Sequence, residues 1–227
     1  MSGIKASIGQ ASVFLATALF AFLPNATPPD SPSVTAGTVD AHYNHLKSFK
    51  VTFSEVYSGP GVSRSESGIL WLKKPGRMRW EYHRPREKLF LTDGQTAYFY
   101  VPGEHQARSA PIKKLDDIRS PLRYLLGKTK LEKELDGLSF APDVKPLQPG
   151  NVVLRGIPKD MKDRVSEVVM EVSPLGQICR IVVHETDGST TDFRFMGFEE
   201  NIPVQDSLFH FTPPPGVEMI KDTQFSQ

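Results

Sequence analysis

Cysteine is almost missing from this chain: of 227 residues, Cys179 is the single one. One cysteine closes no internal disulfide, and none follows the apolar N-terminal run, which excludes lipid attachment there. A surplus of one charge is missing too, since 27 Lys and Arg stand against 26 Asp and Glu. No run of like charge reaches the length of an acidic or basic tail. A nucleic-acid binder gathers a basic excess into a patch, and none is visible. Catalytic signatures are absent as well: the chain has no Gly-rich phosphate loop, no His-Glu-x-x-His, no Cys-x-x-Cys and no Gly-x-Ser-x-Gly elbow. His42 and His45 stand three apart on an expected helix but bring no third metal ligand, so they read as a solvated face. Asp116-Asp117 and Glu199-Glu200 are adjacent pairs, whose side chains point apart; solvated charge explains them better than acid–base chemistry. Cys179 lies in an alternating apolar segment and reads as a small buried hydrophobe. No catalytic residue, metal or cofactor is expected.

What is present begins with the N-terminus. Lys5 precedes an almost unbroken apolar run over residues 11–23, followed by Pro24, Asn25 and Ala26. A short basic region, an apolar run of this length and small residues after it read as a secretory signal peptide. The run is short of the ~20 residues that cross a bilayer, so a cleaved signal fits better than an anchor. The expected organisation is a signal peptide over 1–26, a Pro/Ser/Thr-rich linker over 27–38 and a single domain over 39–227.

Within that domain, Val39, Tyr43, Leu46 and Phe49 have helical spacing, which predicts a helix over 39–48. Phe49, Val51 and Phe53 then alternate and open the first strand. Strands follow at 68–73, 78–82, 88–91 and 96–101, punctuated by Pro75-Gly76 and Asp93-Gly94. Short links make these four antiparallel. Ser120-Pro121 is a helix-start signal, with Leu122, Leu125 and Leu126 on one apolar face and Gly127 as a stop. Leu131 and Leu135 continue or restart that helix. Residues 141–150 read as loop, and strands return at 151–155, 164–172, 177–185, 190–198 and 209–211. The fold class is mainly β, one antiparallel sheet with two helical interruptions.

Such a sheet must cover its apolar face or keep it for a ligand. Phe49, Phe53, Leu70, Leu72, Met78, Trp80 and Leu91 are available to line a cavity, with only modest helices as cover. Periodicity alone fits an ordinary filled core better than a lined cavity.

The segment Gly68-Ile69-Leu70-Trp71-Leu72-Lys73-Lys74-Pro75-Gly76-Arg77-Met78-Arg79-Trp80-Glu81-Tyr82 shifts that balance, because it resembles the signature of the outer-membrane lipoprotein carriers, the LolA family. Pro85, Asp93-Gly94 with Tyr98-Phe99-Tyr100, Gln106, and Phe209-His210-Phe211-Thr212-Pro213-Pro214-Pro215-Gly216-Val217 match in order, as does Leu46-Lys47-Ser48-Phe49 with Phe53. The resemblance covers about residues 39–220. It implies an unclosed antiparallel β-barrel, a half-barrel, whose short helices act as a lid over a hydrophobic concave side. It further implies a monomeric periplasmic chaperone that receives lipoproteins from an inner-membrane ATP-driven exporter and passes them to an outer-membrane receptor.

On that reading the acyl chains contact Phe49, Phe53, Leu70, Leu72, Met78, Trp80, Tyr82, Leu91, Leu122, Leu125 and Leu126, and the wall around them is roomy. The resemblance places a lid latch at Lys74, where well-known members carry Arg; Arg77 or Arg79 is an alternative sharer of the task. Arg77, Arg79 and Arg84 are candidates for partner docking. Two rival readings use the same half-barrel: a lipid-sensing regulatory protein, and a carrier of free lipids or glycolipids.

Overall fold

The computed structural model describes residues 31–112, 123–127 and 129–221. The expected signal peptide and Leu122 lie outside the described residues. Helix α1 spans Pro32–His45, starting seven residues ahead of Val39. The reason is local. Ser31 accepts a hydrogen bond from Val34 N–H at 3.2 Å, and Pro32 fills the first turn, where its missing N–H costs nothing. Most of the expected linker is therefore helix. Thr35, Ala36, Val39 and Tyr43 recur three and four apart and form its buried stripe.

Twelve strands follow: β1 (Ser48–Gly59), β2 (Val62–Lys73), β3 (Arg77–Arg84), β4 (Lys88–Asp93), β5 (Thr96–Tyr100), β6 (Gln106–Pro111), β7 (Leu135–Phe140), β8 (Val152–Pro158), β9 (Val165–Val172), β10 (Ile178–Glu185), β11 (Thr190–Glu200) and β12 (Glu218–Lys221). Two four-residue helices, α2 (Arg123–Leu126) and α3 (Leu131–Glu134), sit between β6 and β7. All strands belong to one sheet in the order β12-β6-β5-β4-β3-β2-β1-β11-β10-β9-β8-β7. Its two edges, β12 and β7, do not meet, so the barrel is unclosed.

The sheet is antiparallel except at one edge, where β12 runs parallel to β6. That departs from an antiparallel sheet throughout. The strand expected at 209–211 is also absent: a 3-10 turn covers Asp206–Phe209, and Pro213 to Pro215 then offer no N–H to a ladder. Leu135 likewise opens β7 instead of extending a helix.

Gly68 bends the middle of the sheet. The ladder between β2 and β3 shifts register between Ser67 and Gly68, and a Cβ there would sit 1.8 Å from the Glu81 carbonyl oxygen. Only glycine permits that approach. The curvature gives the sheet a concave and a convex face, and α1, α2 and α3 cover the concave one. On the convex side, residues after β11 cross the outer strands: Lys73 Nζ donates to the Val204 carbonyl and to Asp206, both at 2.6 Å, while Phe211 packs on Tyr98 and Tyr100.

Candidate functional site

Cross-strand register builds the concave wall in rows. Phe49 pairs with Leu72, and Leu72 with Met78. Val51, Leu70, Trp80 and Phe90 form the next row, then Phe53, Gly68 and Tyr82. On the other flank Phe53 pairs with Phe195, and Glu55 with Phe193. Aromatic rings knit the rows together: Phe53 lies 4.8 Å from Trp80 and 5.0 Å from Tyr82, and Trp80 meets Phe193 edge-on at 6.1 Å. Phe49, Phe53, Leu70, Leu72, Trp80 and Leu125 are buried in this cluster; Met78, Tyr82 and Leu126 are half-buried against it.

Leu91 is the exception. It is fully buried, but its partners are Arg79 and Tyr98, which puts it on the convex face beneath the C-terminal segment. One residue of strand phase separates it from Phe90, the side chain that faces Trp80.

The wall is apolar but not roomy. Val39 and Tyr43 of α1, Tyr124 and Leu125 of α2, and Leu131 of α3 share one packed core with the sheet. A cavity of about 650 Å³ opens at the edge of this cover and is lined by Leu72, Lys74, Gly76, Leu126, Thr129 and Glu134 among others. The space between wall and helices is taken up by the protein's own side chains.

The cover is tied down by polar contacts. Lys74 Nζ donates to the Tyr43 carbonyl, and to the Asn44 carbonyl at 3.3 Å, at the C-terminal end of α1, where a cation also complements the helix dipole. Gly127 lies against the same spot, its φ positive at 70°; a Cβ there would stand 2.8 Å from the Tyr43 oxygen and 2.9 Å from Lys74 Nζ. The Tyr43 hydroxyl accepts from Ile178 N–H at 3.1 Å, and burial raises its pKa well above the tyrosine norm. Asp40 accepts from Thr129 Oγ1 at 3.1 Å and Leu131 N–H at 3.0 Å, joining α1 to α3. His42 lies 3.0 Å from Glu200.

Arg77 and Arg79 point the other way. Arg77 pairs with Asp206 at 3.0 Å, and Arg79 with Glu81 and the Leu208 carbonyl, the latter at 3.0 Å. Both lie on the convex face, so neither shares the Lys74 contact. Arg84 is exposed at the end of β3. His45 turns to the Ala41 carbonyl while His42 meets Glu200, and among the described residues no three metal-ligating side chains converge. Glu199 pairs with Lys50, away from Glu200. Cys179 is half-buried rather than buried, and desolvation pushes its thiol pKa up, the opposite of what a nucleophile needs.

Sequence reasoning missed a polar group at the far end of the wall. Glu55 and Glu66 are cross-strand partners and both buried. Tyr82 Oη donates to Glu55 at 3.1 Å, Lys88 Nζ donates to Glu66 at 2.7 Å, and Lys88 stands 4.1 Å over the Tyr82 ring. Desolvation, then the Glu66 charge, raises the Glu55 pKa. The signal was in the strand phase: Glu55 follows Phe49, Val51 and Phe53 at the inward parity.

A curved open sheet with an apolar concave face under helices defines a half-barrel. Two solved structures share it: an uncharacterized conserved protein from Thermus thermophilus, with a TM-score of 0.55 at 10% identity over 83% of this chain and 97% of that one, and Mycobacterium tuberculosis lipoprotein LppX, at 0.50 and 11% over 77% and 97%. At such identities the likeness speaks for the fold. The family model of the outer membrane lipoprotein carrier protein LolA matches residues 44–212, and the chain belongs to that family. Among its relatives are the outer-membrane lipoprotein carrier proteins of Nitrosospira multiformis, 30% identical over 71% of this chain and 75% of that one, and of Aliivibrio salmonicida, 29% identical over 81% and 88%.

Proposed function

We propose that the protein is an exported periplasmic chaperone that shields lipoprotein acyl chains between its concave wall and its helical cover. It takes them from an inner-membrane ATP-driven exporter and gives them up to an outer-membrane receptor. Residues 1–26 act as the export signal, and the remainder works as one monomeric domain. The observation that carries this reading is the pairing of an aromatic-rich apolar wall with a cover of short helices, packed on it and pinned at their ends by polar contacts. Each methylene withdrawn from water is worth ~0.8 kcal/mol, so a multiply acylated anchor needs such a shelter to cross an aqueous space. Release needs no covalent step: the cargo moves toward whichever partner binds it more tightly. Soft and aromatic side chains such as Met78 and Trp80 tolerate varied chain positions without demanding one fit.

Co-expression with an affinity-tagged lipoprotein tests this. The expected result is a soluble one-to-one complex, greatly reduced by Met78→Glu, which places a charge one strand from Leu72 at the cavity. Recovery of free lipid or glycolipid in place of lipoprotein supports a carrier of another cargo, and recovery of neither supports the sensor reading.

A further inference from the structure

Along β2 the concave wall is apolar from Leu72 through Leu70 to Gly68 and then turns abruptly polar at Glu66. Six residue steps lead from Leu72, at the cavity, to Glu66, roughly 20 Å at about 3.4 Å per residue. The same change occurs on β1 between Phe53 and Glu55 and on β3–β4 at Tyr82 and Lys88. The polar groups partner one another: Tyr82 serves Glu55, Lys88 serves Glu66, and Arg64 stands 3.8 Å from Glu66 on the outer side. A methyl terminus pressed against them would strip remaining hydration from two buried carboxylates and give nothing in return.

We propose that Glu55, Glu66, Tyr82 and Lys88 form an end stop that sets the longest acyl chain this carrier accepts. The proposal rests on the carrier reading and goes beyond it by assigning cargo selectivity to named side chains. Up to the stop, affinity rises with chain length; past it, added methylenes find no apolar surface.

Saturated fatty acids from lauric to arachidic, titrated into the purified mature protein, test the idea. In the wild type, affinity is expected to climb by roughly fourfold per added methylene and then level off within the series. In Glu55→Leu the climb is expected to continue to longer members. Tyr82→Phe, which keeps the ring and removes the bond to Glu55, moves the break the same way by less and serves if the first variant does not fold. A wild-type series without a break, or one break shared by wild type and variants, overturns the end stop while leaving the carrier reading intact. Failure of the wild type to bind any fatty acid counts against the carrier reading itself.

Discussion

At the scale of single residues, the concave wall spends its tolerance for polarity in one place. Glu55 sits cross-strand from both Phe193 and Glu66, and burial together with the neighbouring charge lifts its pKa above the ordinary glutamate value of 4.5. Tyr82, Lys88 and Arg64 offset only part of that rise. The folded state thus holds a proton more readily than the unfolded one. Between pH 4.5 and the raised value the native state binds more protons, so stability falls as pH climbs through that window. Glu55→Gln, which cannot ionise, is expected to flatten this segment of the stability curve; urea unfolding at intervals from pH 4 to pH 8 reads the difference. A parallel fall in both proteins would contradict the assignment. Asp192 runs the other way: burial pushes it up, but Arg180 and Arg194, each 2.9 Å away, bring its pKa below the usual carboxylate range.

At the scale of elements, the cover is a set of short pieces pinned at their ends. Lys74 meets the last carbonyls of α1, and Gly127 leaves it just enough room. Lys74→Leu should lower amide-exchange protection in the last turn of α1 roughly tenfold, the equivalent of a hydrogen bond from a charged group. Lys74→Arg should retain protection, and Gly127→Ala, whose Cβ would crowd both the Tyr43 oxygen and Lys74 Nζ, should reproduce the loss with the lysine still present. Unchanged exchange in Lys74→Leu and Gly127→Ala would remove the latch from the mechanism. The strands were readable because period-two alternation with Gly and Pro turns has few alternative meanings. Element ends were harder. Residues 32–38 look like linker by composition, yet the Ser31-Pro32 start signal outweighs it. The polar half of β2, residues 62–66, carries no apolar alternation to betray it. β12 exists only because β6 lies beside it, a pairing between distant segments that no local pattern encodes.

At the scale of the molecule, the site was legible as a sheet face but not as a volume. Parity along β1, β2 and β3 located Phe49, Phe53, Leu70, Leu72, Trp80 and Tyr82; which helical side chains fill the space between them is a tertiary fact. Leu91 failed for the same reason, since a buried leucine reads alike on either face until the C-terminal segment is seen covering one of them. That segment also carries a prediction. Ending the chain after Glu200 would uncover Leu91 and delete Phe209, each a side chain whose full burial is worth about 1.5–3 kcal/mol. Such a truncation should lower stability by several kcal/mol in urea unfolding and raise binding of a hydrophobic dye, and an unchanged midpoint would show the strap to be dispensable.

The pairing of β1 with β11 brings together Lys50 and Glu199, 149 positions apart. Closing so long a loop costs entropy before any contact repays it. Each flank, β1 to β6 and β7 to β11, is a run of sequence-adjacent hairpins, and the two join only when β11 meets β1. The concave wall draws on both flanks, Phe53 and Trp80 from one and Phe193 and Phe195 from the other, so it is completed only after residue 195 is available.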